Sequence, residues 1–368
     1  MKNKKSKFLI AVIGLLLIAM VLSGCGAIYR PSSWPGITVS NDGETAFVAY
    51  NEKVYALGQN GLQKWAYPNE GVNMNFYAEP LETSDGGLII GTYDKKLVKL
   101  NAETGSMIWE FTEAGNRYIG SAAEADEIIY APNADEALYV VDMQGNLVWS
   151  HETGQANWAA PLVNGSLVYV VSMDHFIYAL NRDSHTEAWK TDLGTAAMSS
   201  PVFNEDQSVI YLGTYGSKVM ALNATTGDVL WETAEDVIPG WVWGSPLFDQ
   251  GVLYVADSSG TVTALNPQNG VILWQQSYDY PITGSPLLVD GILYVATEGN
   301  GDDGGDLIAL DAATGVQQWQ QRVPGKLYGT PEAFGDMILV GVVEGDNGVI
   351  LQALNTNGTM RWSFNPGN

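Results

Sequence analysis

The 368-residue chain carries 17 basic and 41 acidic residues, a net charge of −24, so nucleic acid and anionic headgroups are excluded as partners of its surface. Aliphatic and aromatic residues make up 46%, enough for a large core, and 41 glycines point to many tight turns. The single cysteine, Cys25, excludes an intramolecular disulfide.

The chain opens with four lysines (Lys2, Lys4, Lys5, Lys7), then an uncharged apolar run from Phe8 to Leu22, then Leu22-Ser23-Gly24-Cys25. A basic start, a short apolar run and small residues predict a secretory signal over 1–24. The run falls short of the roughly 20 residues that cross a bilayer. Its end resembles the bacterial lipobox, and that resemblance implies acylation of Cys25, cleavage before it and attachment to membrane lipid. Two other readings stay open: a plain signal leaving a free thiol, and an uncleaved anchor extended through Ile28. Residues 25–34 form a short tether. The expected location is the extracytoplasmic cell envelope: the outer membrane where a cell has two membranes, otherwise the cell surface.

From residue 35 to 365 the chain repeats itself. Trp65, Trp109, Trp149, Trp189, Trp231, Trp274, Trp319 and Trp362 recur every 40 to 45 residues. Each follows a glycine by four positions, except Trp189, where His185 stands in the glycine's place. Upstream lies a second landmark, a small residue and then proline: Pro35, Pro80, Pro161, Pro201, Pro246, Pro286 and Pro331, with Gly120–Ala123 replacing it in the third unit. In residues 244–274, GSPLFDQGVLYVADSSGTVTALNPQNGVILW, four short Val-, Leu- and Tyr-rich runs alternate with Gly-, Asn- and Asp-bearing turns. Nothing after residue 30 keeps a helical period over 11 residues. Eight such units predict an all-β fold, an eight-bladed β-propeller of four-stranded antiparallel blades. The outermost strand carries the tryptophan, whose indole fills the gap between diverging blades. The glycine supplies positive φ, and the alanine of "Ala-Leu" makes room for an indole. First and last units each supply four strands, leaving residues 26–34 as the segment that offers a closing strand.

The pattern A-x-[DN]-x-x-[TN]-G-x-x-x-W is met in full by Ala221, Asn223, Thr226, Gly227 and Trp231, and by Ala309, Asp311, Thr314, Gly315 and Trp319. It resembles the tryptophan-docking motif of the pyrroloquinoline-quinone (PQQ) propeller superfamily, over essentially all of 35–365. Two branches of that superfamily matter. Quinoprotein dehydrogenases hold PQQ, usually with Ca²⁺, in the channel. Lipoproteins similar to the BamB family are non-enzymatic and serve outer-membrane protein assembly. This chain is much shorter than the dehydrogenases and lacks their adjacent cysteine pair, and their calcium-ligating and catalytic acids find no counterpart here. The resemblance therefore implies a membrane-anchored, monomeric scaffold for other envelope proteins, with no catalytic residue and no cofactor. A PQQ-dependent oxidoreductase and a surface receptor for a glycan or small ligand are the alternatives.

Three features bear on a site. His151, His175 and His185 lack ligand spacing. The run Gly299-Asn300-Gly301-Asp302-Asp303-Gly304 lies between strands rather than strand and helix, so it is no dinucleotide fingerprint. Its Asp302, Asp303 and Asp306, near the similar loop Glu344–Gly348, are a weak Ca²⁺ candidate, against a reading as flexible acidic loops. Finally, Trp158, Trp243 and Tyr328 stand three residues before the proline, Trp241 lies beside Trp243, and Tyr118 with its neighbour Arg117 stands at or near the same place in the third unit. Such residues gather at one channel mouth. They either bind a ligand or partner or plug the channel, and packing is the plainer expectation.

Overall fold

In the computed structural model, residues 33–68, 74–300, 304–343 and 345–367 are described. They form eight four-stranded antiparallel sheets, each built from four consecutive strands. The sixth is representative: Leu247–Asp249, Val252–Ala256, Thr261–Leu265 and Ile272–Ser277. The two middle strands are almost wholly buried, while the outermost is mostly exposed. First strands of neighbouring blades meet one another, which places them around the axis. Cores lie between blades: Tyr254, Val262 and Ala264 of blade 6 pack with Leu293, Ile308 and Leu310 of blade 7. Each blade completes its neighbour's core, so the ring is stable as a whole.

One device recurs at every junction. In six blades the ladder tryptophan lies opposite an alanine of its own blade, as Trp231 opposite Ala221 and Trp274 opposite Ala264, while Lys99 and Val140 face Trp109 and Trp149. In all eight blades the register shifts immediately before the tryptophan, leaving one residue unpaired. Such a bulge twists the edge strand and re-aims the next side chain, here turning the indole onto the following blade. Its N–H then donates to a backbone carbonyl there: Trp65 to Ala102 at 3.0 Å, Trp109 to Met143, Trp231 to Pro267 and Trp274 to Ala312 at 2.9 Å. The Asx residue of the motif shapes the receiving hairpin, as Asn223 Oδ1 accepts from the Thr225 and Thr226 N–H groups at 2.9 Å. The bulge also blunts the outer edge against strand-to-strand association.

The turn glycine does more than adopt positive φ. A Cβ on Gly105 would lie 2.6 Å from the Trp65 ring, and one on Gly315 would lie 2.6 Å from that of Trp274. The preceding blade's indole rests on the bare glycine. Where His185 replaces it, φ is 58° and the imidazole stacks on Trp149 at 4.9 Å and 15°.

Closure needs no borrowed strand. Blade 1 has its own four strands from Gly36 to Tyr67, and blade 8 its own from Glu332 to Phe364. Trp362 donates to Gln59 O at 2.9 Å, joining the last blade to the first across 303 positions. The expectation of a closing strand from residues 26–34 is corrected at its described end: Ser33 and Trp34 are not in a strand, and the remainder lies outside the described residues. Cys25 and the signal segment lie outside them too. Among the described residues no helix is long and apolar enough to cross a membrane.

Candidate functional site

After each tryptophan strand the chain returns to the axis and enters the next innermost strand. These entries pack backbone to backbone. A Cβ on Gly244 would sit 2.6 Å from Gly284 O, and one on Gly284 would sit 2.4 Å from Gly329 O. Hydroxyls beside the prolines tie neighbours together: Ser245 N–H donates to Ser285 Oγ at 2.8 Å, and Ser285 N–H to Thr330 Oγ1 at 3.1 Å. This explains the Gly-Ser-Pro landmark as the lining of a narrow channel. Carboxylates hold the loops in place, as Asp135 accepts from Gly115 N–H at 2.5 Å and Asp174 from Gly154 N–H at 2.6 Å.

The mouth is filled by aromatic rings. Tyr93 packs on Tyr77 at 5.1 Å, Tyr77 on Trp34 at 5.4 Å, and Trp34 on Trp243 at 6.1 Å. Trp243 continues to Trp241 at 5.7 Å, and Trp241 stacks on Tyr215 at 4.7 Å. The Trp34–Trp243 contact joins blade 1 to blade 6 across the opening. What remains is a cavity of about 150 Å³ lined by entries from all eight blades. Ligand pockets commonly measure about 300–1,000 Å³, so this space is small for a quinone-sized group.

Of the residues singled out in the sequence, Trp158, Trp243 and Tyr328 line this cavity, and Trp241 joins the aromatic belt. The Trp158 indole N–H is buried and finds no hydrogen-bond partner. Arg117 caps the far end, its guanidinium 4.7 Å from the Tyr93 ring centre and donating to the Tyr93 hydroxyl at 2.5 Å. Tyr118 is corrected: it is 1% exposed and packs in the core between blades 2 and 3. Gly120-Ser121-Ala122 aligns with Gly-Ser-Pro elsewhere, so Ile119, not Tyr118, occupies the lining position. Burial pushes the Tyr118 hydroxyl far above its ordinary pKa.

The acidic loop also needs correction at Asp306. Its carboxylate is 4% exposed and holds the Arg322 guanidinium through two hydrogen bonds, 2.6 and 3.1 Å, so it is committed to an ion pair. Asp302, Asp303 and Glu344 lie outside the described residues. Among the described residues no cluster of three or more His, Cys, Asp or Glu could hold a metal. His151 meets Tyr178 edge-on at 5.8 Å, and His175 sits at φ 79° in a turn.

Two carboxyls near the axis, of which Glu79 lines the cavity, have no counterpart among the residues singled out in the sequence. Glu79 stands before Pro80 where four other units have Ser200, Ser245, Ser285 or Thr330, and Glu332 follows Pro331 where five others have Leu or Val and the first has Gly36. A charge at these two positions was the available signal. Burial pushes Glu79 up to about 7, and burial with the nearby Glu79 charge pushes Glu332 up to about 8. Glu79 is walled by protein yet opens onto the lumen, where water tempers the shift.

Both values exceed the unfolded-state value near 4.5, so the folded protein holds more protons than the unfolded chain between about pH 4.5 and 8. The stability carried by the neutral forms is complete below that window and is lost as pH rises through 7 and 8. The double variant Glu79→Gln, Glu332→Gln is expected to gain on the order of 1–2 kcal/mol over wild type at pH 8.5, discounted for solvent screening, and nothing at pH 4. Denaturant titrations at the two pH values check this; a difference independent of pH contradicts it.

A family model described as outer membrane protein assembly factor BamB matches residues 27–173, 114–236 and 279–368. Outer membrane protein assembly factor BamB of Nitrosomonas eutropha is 28% identical over 151 residues, covering 40% of this chain and 37% of that protein. A polyvinylalcohol dehydrogenase of a Pseudomonas species is 33% identical over 102 residues, covering 26% of this chain and 16% of the enzyme. The matched segments thus span well under two thirds of either relative. Among solved structures, BamB from Moraxella catarrhalis superposes with a TM-score of 0.68 at 18% identity, covering 84% of this chain and 91% of that one. That likeness establishes the fold alone.

Proposed function

Because the chain belongs to the family of outer membrane protein assembly factor BamB, whose model matches most of its length, we propose that it works as a non-enzymatic propeller scaffold in the cell envelope. In this reading residues 1–24 are a cleaved signal, Cys25 is acylated, and residues 25–34 tether the ring to the membrane, with several acyl chains giving stable attachment. The ring acts as a monomer and presents its loops to other envelope proteins. In a cell with an outer membrane those partners assemble β-barrel proteins. The observation that carries the reading is the channel mouth: belt aromatics from Tyr93 to Tyr215 pack on one another where a quinoprotein would hold its cofactor.

The test uses the full chain, tagged at its C-terminus and expressed in its own cell. Membrane-fraction recovery together with β-barrel assembly proteins is the expected result. Cys25→Ser is expected to move the protein from the membrane to the soluble fraction. Wild type in the soluble fraction overturns the anchor, and recovery without those proteins overturns the assembly role.

A second reading, a PQQ-dependent oxidoreductase, draws on the match to polyvinylalcohol dehydrogenase. Oxidation of an alcohol or sugar coupled to an artificial dye in the presence of PQQ and Ca²⁺ would favour it.

A further inference from the structure

Two departures from the repeat coincide at the junction of blades 3 and 4, away from the channel. At other junctions the indole rests on a bare glycine; here it meets the His185 imidazole. The residue after the motif's Asx is also unusual. It is neutral in the other blades (Gln59, Ala102, Met143, Ala224, Pro267, Ala312, Thr356) and is Arg182 here. At the next three junctions a core tyrosine donates to that residue's carbonyl, as Tyr211 does to Pro267 O at 3.2 Å. Here the Tyr130 hydroxyl instead accepts from Arg182 Nε at 2.6 Å. The guanidinium also donates to Gly165 O at 2.5 Å and to Ala125 O at 3.2 Å, and it pairs with Asp126 at 2.9 Å.

These changes leave a cavity of about 400 Å³ between the two blades, walled by Tyr130, Trp149 and His185, with Arg182, Asp126 and Asp183 at its edge. It is more than twice the volume left at the channel mouth and lies within the roughly 300–1,000 Å³ of ordinary ligand pockets. Its chemistry narrows the ligand. An anion meets the strongly negative protein and an Arg182 already neutralised by Asp126. A cation finds Asp126 already paired with the guanidinium, and among the described residues no group of three carboxylates or imidazoles gathers to hold it. A neutral polyol meets neither penalty. Its C–H face can lie against the exposed His185 imidazole or against Val148, which is 44% exposed. Its hydroxyls can pair with the exposed Asp126 and Asp183 carboxylates and the Ser166 hydroxyl.

We propose that the cleft between blades 3 and 4, built by His185 and Arg182, is a binding site for a neutral saccharide of one or two pyranose rings. The site is independent of the channel mouth and of the protein–protein role.

The test is a titration of the folded chain with glucose, N-acetylglucosamine, maltose and chitobiose, read by saturation-transfer NMR and by the imidazole resonances of His185. At least one probe is expected to bind saturably, with a dissociation constant of about 1 mM. His185→Gly restores the repeat's residue at a φ that glycine accepts, so it is expected to weaken binding at least about tenfold without lowering the melting temperature. Arg182→Ala is expected to weaken it as well, and Trp243→Ala at the channel mouth to leave it unchanged. The proposal is overturned if no probe binds up to about 20 mM, if His185→Gly binds as well as wild type, or if glucuronate binds as tightly as glucose.

Discussion

Trp362→Ala is expected to lower the unfolding free energy by about 3 kcal/mol, the low end of the range for removing a core tryptophan, since its ring is partly exposed. This side chain closes the ring. Its N–H binds Gln59 O at 2.9 Å, its ring covers Gly61, and it packs on a core that includes Ile37, Tyr55 and Phe364. No strand is exchanged between first and last blades, and no chain connection holds them. Trp319→Ala removes a similar contact, a 2.9 Å hydrogen bond to Thr356 O, at a junction where the chain still links the two blades. Both variants are expected to lose stability. Trp362→Ala alone is expected to speed amide exchange in blades 1 and 8 together, as the seam opens. A loss under about 1 kcal/mol, or identical exchange patterns in the two variants, would contradict closure through this residue.

The glycine beneath each indole gives the second large effect. Gly105→Ala is expected to cost about 2–4 kcal/mol: roughly 1 for an alanine at positive φ and the rest for overpacking. The residue sits at φ 69°, and the new methyl would lie 2.6 Å from the ring of Trp65, which is 9% exposed and held by its own hydrogen bond. Gly43 provides the comparison. It has φ 72° and nothing within 4 Å of an added methyl, so Gly43→Ala isolates the backbone term at about 1 kcal/mol. The melting temperatures of the two variants separate the roles. Equal losses would mean that the glycine serves only its turn.

That pair also marks how far the sequence could be read. The eight units, their four strands and the outer position of the tryptophan follow from local chemistry: β-rich runs, turn residues and a fixed spacing. Contacts between blades do not. The acceptor for Trp65 is Ala102 of the next unit, and the neighbour of Gly105 is the previous unit's indole. Both need the ring before they can be seen. The bulge before each tryptophan is equally silent in sequence, because an edge strand with one extra residue still alternates plausibly. The mouth shows the same limit. Trp241 and Trp243 stand out as off-ladder aromatics, but the contact of Trp243 with Trp34 joins residues about 200 positions apart. Tyr118 was misplaced by a single residue, and in a chain that alternates faces one position is enough to turn a side chain from lumen to core. Glu79 and Glu332 were legible as charges at small or apolar positions, yet only the ring brings them to either side of blade 1.

A titration of purified protein with PQQ in the presence of Ca²⁺, followed by tryptophan fluorescence and by dye-linked oxidation of alcohols and sugars, tests most directly whether the channel is a filled structural axis. With Trp34 and Trp243 packed across the mouth, no saturable quenching and no dye reduction are expected. Stoichiometric PQQ binding accompanied by substrate oxidation would contradict that expectation.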